Sequence, residues 1–172
     1  MSIAAIDDGF ASIGPVASQY SRDRAMLDAV NRRIIEQLQE DGRRSYAAIA
    51  KSVGLSEAAV RQRVQRLLDA GVMQVVAVTD PLTVGFHRQA MIGVRADGDL
   101  RAVAAKLAAL DEVDYVVVTA GRFDILVEVV CADDEQLLRL LNDGIRAVEG
   151  VRDTETLVYL RLVKQTYSWG TR

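Results

Sequence analysis

The sequence is poor in the residues from which most reactive centres are built. Its 172 residues include one cysteine, Cys131, and one histidine, His87. A single cysteine excludes an intrachain disulfide and fits a reducing, cytoplasmic setting. A Cys–His pair is then the one conventional nucleophile arrangement available, and nothing around either residue supports it. Cys131 reads as a small core residue in an apolar strand, and His87 as a packing or capping residue near a domain boundary. A phosphate-cradling GxxxxGK, a dinucleotide glycine pattern after a strand and a metal-ligand cluster are all missing. The chain therefore reads as a non-enzyme that needs neither metal nor cofactor. No apolar run reaches the ~18–20 residues of a membrane span. The opening MSIAAIDDGF carries acids where a secretory signal would carry basic residues.

What is present is an ordinary globular composition, half hydrophobic and 26% charged. The length suits one sizeable domain or two small ones. A formal net charge of −3 looks wrong for a nucleic-acid binder. The charge is unevenly spread, however. Residues 28–80 hold 8 Lys/Arg against 7 Asp/Glu, whereas residues 81–172 hold 11 against 14. Local clustering decides phosphate contact more than the total does, so charge leaves a DNA role open.

Periodicity divides the chain into four parts. Residues 1–25 form a leader expected to be flexible, in which Ile3, Ile6, Phe10 and Ile13 could make a short helix. Residues 26–71 carry three helices. The first starts at Asp28, places Leu27, Val30, Ile34, Ile35 and Leu38 on one face, and stops before Gly42. Ser45 caps a short second helix with Ala48, Ile49 and Val53 inward and Gly54 ending it. Ser56 caps a third that runs to Ala70, with Gly71 as its stop. The link Val53-Gly54-Leu55-Ser56 is the tight bend of a helix-turn-helix. Residues 72–86 form a strand linker, β-branched from Val72 to Val78. Residues 87–172 read as strand, helix, strand, strand, helix, strand. These are 88–95, a helix on Leu100, Val103, Leu107 and Leu110, a buried-looking strand 113–120, strand 123–131, a helix on Leu137, Leu138, Leu141, Ile145 and Val148, and a long strand 154–167. The fold class is α+β, a winged-type helix-turn-helix followed by a ferredoxin-like βαββαβ domain.

The third helix carries the most information. Val60, Val64, Leu67 and Leu68 share its inward face, which turns Ala58, Gln62, Gln65, Arg66 and Asp69 outward, with Arg61 and Arg63 on the flanks. Gln and Arg are the side chains that bond adenine and guanine edges bidentately, and flanking Arg can clamp phosphates. Alone, this is a solvated charged face. Together with the bend and the two caps it reads as a DNA-reading helix, with Ser56 and Glu57 at its start and with Arg43, Arg44, Ser45 and Lys51 adding backbone contacts. Gly121-Arg122-Phe123-Asp124 reads on spacing alone as a strand-to-strand turn. Its alternative is a zwitterion site, with N–H groups for a carboxylate and Asp124 for an ammonium. Thr154 and Thr156 alternate onto one side of the last strand, facing ligand or solvent.

In this order and spacing the residues resemble the leucine-responsive regulator/AsnC (feast/famine) family. The resemblance runs over about residues 26–167. It rests on Leu27-Asp28, Ile34-Ile35, Leu38, Leu55-Ser56, Val60, Arg63-Val64, Leu67 and Gly71-Val72. Asp80-Pro81, Gly85-Phe86, Thr119, Gly121, Asp124, Gly150-Val151, Thr154 and Thr156 complete it. The resemblance implies a transcription regulator of bacterial type, cytoplasmic and nucleoid-associated, that contacts double-stranded DNA through residues 56–70. It also implies homodimers assembling further, commonly into rings of eight chains. An amino acid or similar metabolite would bind between subunits near Thr119, Ala120, Gly121, Arg122, Phe123 and Asp124, with Thr154 and Thr156. The family often has Gly directly after the threonine of that turn; here Ala120 intervenes, which carries over the site but not the ligand's identity. Three rivals stay open: a nucleoid-coating protein without effector, a tetrapyrrole decarboxylase-like enzyme, and a free-standing amino-acid-binding module. The lone His87 and the acidic C-terminal half weigh against the enzyme, and the basic third helix against the module.

Overall fold

The computed structural model describes residues 27–166, 170 and 171. The leader, with its possible short helix, lies outside the described residues. The chain forms two compact units: one runs to Ala77 and takes in the chain from Gln165, the other spans Val78–Lys164. The C-terminal segment thus groups with the helical unit, where the sequence reading had assigned it to the second domain.

In the first unit, α1 (Ala29–Glu40), α2 (Tyr46–Val53) and α3 (Glu57–Asp69) start on side-chain caps. Asp28 accepts from the Asn31 N–H at 2.7 Å, Ser45 from Ala48 at 3.3 Å and Ser56 from Ala59 at 3.2 Å. Each satisfies a donor that the helix itself leaves orphaned. Gly54, at φ 75°, ends α2 in the left-handed conformation and makes the sharp bend possible. Ile34, Ile49, Ala50, Val60 and Val64 form the core, with Val30, Leu38, Tyr46, Leu68 and Met73 against it. In α2 it is Ala50, not Ala48, that faces inward: counting from the cap, Tyr46, Ile49, Ala50 and Val53 make the helical stripe, and Ala48 is exposed. Gly170 N–H and Thr171 Oγ1 donate to Gln39 and Glu36 of α1 at 3.1 and 2.6 Å.

The run Val72–Val78 is not a strand. Among the described residues it makes no ladder, Val75, Val76 and Val78 are all more than half exposed, and the described part of this unit has three helices and no β wing. β-Branched composition favours an extended chain, but a strand also needs an edge to pair with.

The second unit contains β1 (Arg88–Ala96), α4 (Leu100–Ala108), β2 (Val113–Val118), β3 (Ile125–Cys131), α5 (Asp134–Arg139) and β4 (Val151–Val158). The strands pair antiparallel in the order β2-β3-β1-β4. Ala90, Ile92, Val94, Ile125, Val127, Val129 and Cys131 point to one face, where Val103 and Leu107 of α4 and Leu137, Leu140 and Ile145 cover them. β2 is an edge strand, half exposed rather than buried, with Tyr115 at 51% exposure. α5 continues as a π-helical turn, Leu140–Ile145. Leu137, Leu140, Leu141, Ile145 and Val148 keep the ordinary helical spacing toward the core, and Leu138, expected inside, falls off that stripe and is exposed. β4 begins earlier and ends nine residues sooner than the pattern suggested, with Tyr159 N–H, one residue past its end, still donating to the Gln89 carbonyl at 2.8 Å. Beyond it Leu160 and Val163 are almost fully exposed.

Candidate nucleic-acid interface and ligand site

The core of the first unit fixes which side of α3 is available. Val60, Val64 and Leu67 are buried, which leaves Glu57, Ala58, Arg61, Gln62, Gln65, Arg66 and Asp69 exposed. Most of the charged groups already have neighbours. Arg61 bonds Glu57 at 2.7 Å and stacks over the Tyr46 ring, its guanidinium carbon 5.1 Å from the centroid. Gln65 donates to Asp69 at 2.7 Å. Arg63 turns back rather than out: one of its N–H groups donates to Asp28 at 2.7 Å and to Asn31 at 2.9 Å on α1. Gln62, Arg63 and Arg66 line a hollow of about 490 Å³ with Asp28, Asn31, Leu55 and Ala59. On α2's side, Arg44 bonds Gln37 and Glu40 at 3.3 and 3.1 Å, and Arg43 and Lys51 are exposed. Ser45 and Ser56 serve as caps, so their hydroxyls are engaged by backbone.

The sequence reading treated Asp28 only as a helix start and did not find Asn31. Their link to Arg63 spans more than thirty residues, a separation no local pattern reports. The Asn31 N–H and then the Arg63 guanidinium hold the Asp28 carboxyl below its ordinary pKa.

In the second unit the turn between β2 and β3 is tied to its own backbone. Thr119 N–H donates to the Asp124 carbonyl at 2.8 Å, and the Thr119 hydroxyl to the Phe123 carbonyl at 2.6 Å. Asp124 N–H donates to Val94 at 2.9 Å, and its carboxylate accepts from Ala96 N–H at 3.0 Å. Ala120, Gly121 and Arg122 form the exposed tip. Phe123 lies over Gly93 of β1 so closely that a Cβ there would fall 2.6 Å from the ring. Arg122 and Arg95 approach the same ring at 5.1 and 5.9 Å, and Arg122 pairs with Glu155. An isolated glycine inside a strand pattern was the available signal for this close approach.

Thr154 and Thr156 stand apart from that cluster. They pair with Val94 and Ile92 and so share the helix-covered face, whereas Glu155, opposite Gly93, points to the open face with Phe123. The Thr154 hydroxyl accepts from Arg146 at 3.0 Å. Within one chain, therefore, the eight expected ligand residues form two groups on opposite faces of the sheet. On the open face Glu128 accepts from Gln89 at 2.9 Å and from Tyr159. Burial and that carboxylate push the Tyr159 hydroxyl up to about 12.

A helix-turn-helix unit followed by a βαββαβ sheet unit defines a class of DNA-binding regulator with an appended ligand-binding domain. Comparison with known proteins agrees in both halves. The AsnC-type helix-turn-helix domain model matches residues 27–68, and the Lrp/AsnC ligand binding domain model matches residues 89–169. An HTH-type transcriptional regulator of Pyrococcus furiosus is 37% identical over 145 residues, covering 83% of this chain and 98% of the relative. The structure of Escherichia coli AsnC superposes with a TM-score of 0.71 at 28% identity, covering 82% of this chain and 97% of that one. A Neisseria meningitidis transcriptional regulator in complex with L-methionine gives 0.72 at 29% identity, over 83% and 95%. The chain belongs to the Lrp/AsnC family of helix-turn-helix transcriptional regulators. Among the described residues no helix is long and apolar enough to cross a membrane.

Proposed function

We propose that α3 reads the major groove of double-stranded DNA and that an amino acid or similar small metabolite, bound at the 119–124 turn, modulates assembly or DNA affinity. The observation that carries the first half is the exposed edge of α3, where Gln62 and Arg66 stand clear of the core beside a hollow open to solvent. Gln62 and Arg66 suit base edges, while Arg43, Lys51, Arg61 and Arg63 suit phosphates. Support for the second half comes from the turn itself. Its tip offers backbone donors, and the Asp124 carboxylate, with about four acceptor positions, can take an ammonium as well as the Ala96 N–H. The methionine bound to the Neisseria relative fits the same ligand chemistry.

Two further parts belong to this reading. The exposed run 74–78, unpaired among the described residues, and the open sheet face with Tyr115 and Leu157 suit pairing with a second copy, from which higher rings would grow. A helical unit for DNA, a sheet unit for ligand and assembly, a cytoplasmic, nucleoid-associated location and the absence of enzymatic activity complete it. In footprinting, Gln62→Ala and Arg66→Ala together should blur sequence preference by ~1–3 kcal/mol per lost base contact. Unchanged preference would remove α3 as the reader. Asp124→Ala should preserve DNA binding and abolish the metabolite response; an intact response would take Asp124 out of the site.

A further inference from the structure

We propose that Asp28 stands in for a DNA phosphate: it holds Arg63 in the free protein and yields it to the backbone when α3 docks. The inference rests on the reading of α3 as the DNA-contacting helix and assigns a damping role to a residue outside that helix.

The two Asp28 oxygens do different work. Oδ1 accepts from the Asn31 N–H and caps α1, while Oδ2 takes the Arg63 guanidinium at 2.7 Å. Arg63 sits in the middle of α3 and lines the same hollow as Gln62 and Arg66. The hollow thus places two guanidinium groups and one carboxylate beside the exposed edge of the helix. The contact is one guanidinium nitrogen on one carboxylate oxygen, and a phosphate oxygen accepts from a guanidinium at the same kind of distance, so one can replace the other without moving the arginine far.

Exposure decides whether that exchange is feasible. The Arg63 and Asp28 side chains keep 31% and 49% of their surface open to water. Ion pairs of this kind are worth at most about five-fold in an equilibrium constant, whereas breaking a deeply buried pair costs on the order of a hundred-fold or more. Trading Asp28 for a phosphate is therefore close to balanced. What Arg63 gains from a phosphate it largely gives up at Asp28. Asp28 consequently lowers affinity for every duplex alike, so that only a site offering base contacts to the outer edge of α3 is held well. The lowered pKa of Asp28 keeps it charged at neutral pH, so the damping is always on.

The test is Asp28→Asn, which keeps a side-chain cap and the shape but removes the charge. Binding to an operator and to an unrelated duplex is measured across a salt series, together with thermal melting. Asp28→Asn should bind the unrelated duplex about five-fold more tightly at low salt, the size of an exposed ion pair. Its slope of log K against log salt should steepen by up to about 0.9. Arg63→Ala should flatten the slope by about the same amount, and in that background Asp28→Asn should add little. An unchanged slope, weaker binding alongside a lower melting temperature, or an equal gain in both backgrounds would each overturn the proposal. The first would show no exchange, the second a structural strut, the third a long-range charge effect. Failure of the wild-type protein to bind any duplex would instead reject the DNA reading itself.

Discussion

The edge of α3 and the turn at 119–124 hold similar chemistry, arginines beside a carboxylate, and arrange it in opposite ways. On α3 the arginines meet side chains: Glu57 on the same helix, and Asp28 and Asn31 on α1. The two carboxylates are about half exposed, so on the proposed reading a phosphate can take their place, while Asn31 is buried. At the turn, Asp124 and Thr119 bond backbone atoms of the turn and of β1, which hold them in place whether or not a ligand is present. On the proposed reading the first region trades partners, and the second stays in place and presents its tip. A surface that must accept many DNA sequences needs the former, and a site that must recognise one small molecule needs the latter.

The sharpest way to break this comparison is to remove the support of one region and watch the other. Ile49→Ala, at a fully buried position in the helical core, should cost ~2–5 kcal/mol. DNA binding should be lost while the sheet unit keeps its own melting transition in calorimetry. A single merged transition, shifted as a whole, would show that the two cores do not fold separately. Gly93→Ala should come next, at ~1–3 kcal/mol, because its Cβ displaces the Phe123 ring from the sheet. The effect should fall on the sheet unit and on metabolite response, leaving DNA affinity unchanged without metabolite. Ser56→Ala removes the α3 cap and should cost ~1 kcal/mol in the helical unit alone, read from denaturant midpoints.

A further effect is confined to alkali. An unfolded tyrosine loses its proton near pH 10, whereas Tyr159 holds its proton until about 12. Between those values the unfolded chain is favoured, so the sheet unit should lose stability as pH rises from about 10 to 12. Tyr159→Phe should remove that part of the dependence, and spectroscopic titration should show one fewer late-ionising tyrosine. An unaltered alkaline profile would mean that Glu128 and burial do not hold that proton.

Much of the fold was legible because its signals are local. Asp28, Ser45 and Ser56 cap the three helices, Gly54 makes the bend, and the β1 and β3 alternations define a one-sided sheet. Some misreadings needed information about a partner: Val72–Val78 has strand composition but, among the described residues, no edge to pair with. Leu138 was a local miss, since Leu137, Leu140, Leu141, Ile145 and Val148 already make the 3.6-residue stripe without it. At the sites, the exposed row on α3 followed from periodicity, but the inward turn of Arg63 did not. Thr154 and Thr156 were correctly placed on one side of β4. Which side depended on their register against Val94 and Ile92.

The most direct test of the whole account is binding of the purified protein to its own upstream DNA over a salt series, with and without each amino acid. The account predicts a complex that weakens steeply with salt and whose affinity or size changes with one amino acid or a few related ones. Salt-sensitive binding indifferent to every amino acid would contradict the assignment of the 119–124 turn as an amino-acid site, and salt-insensitive or absent binding would contradict the role given to α3.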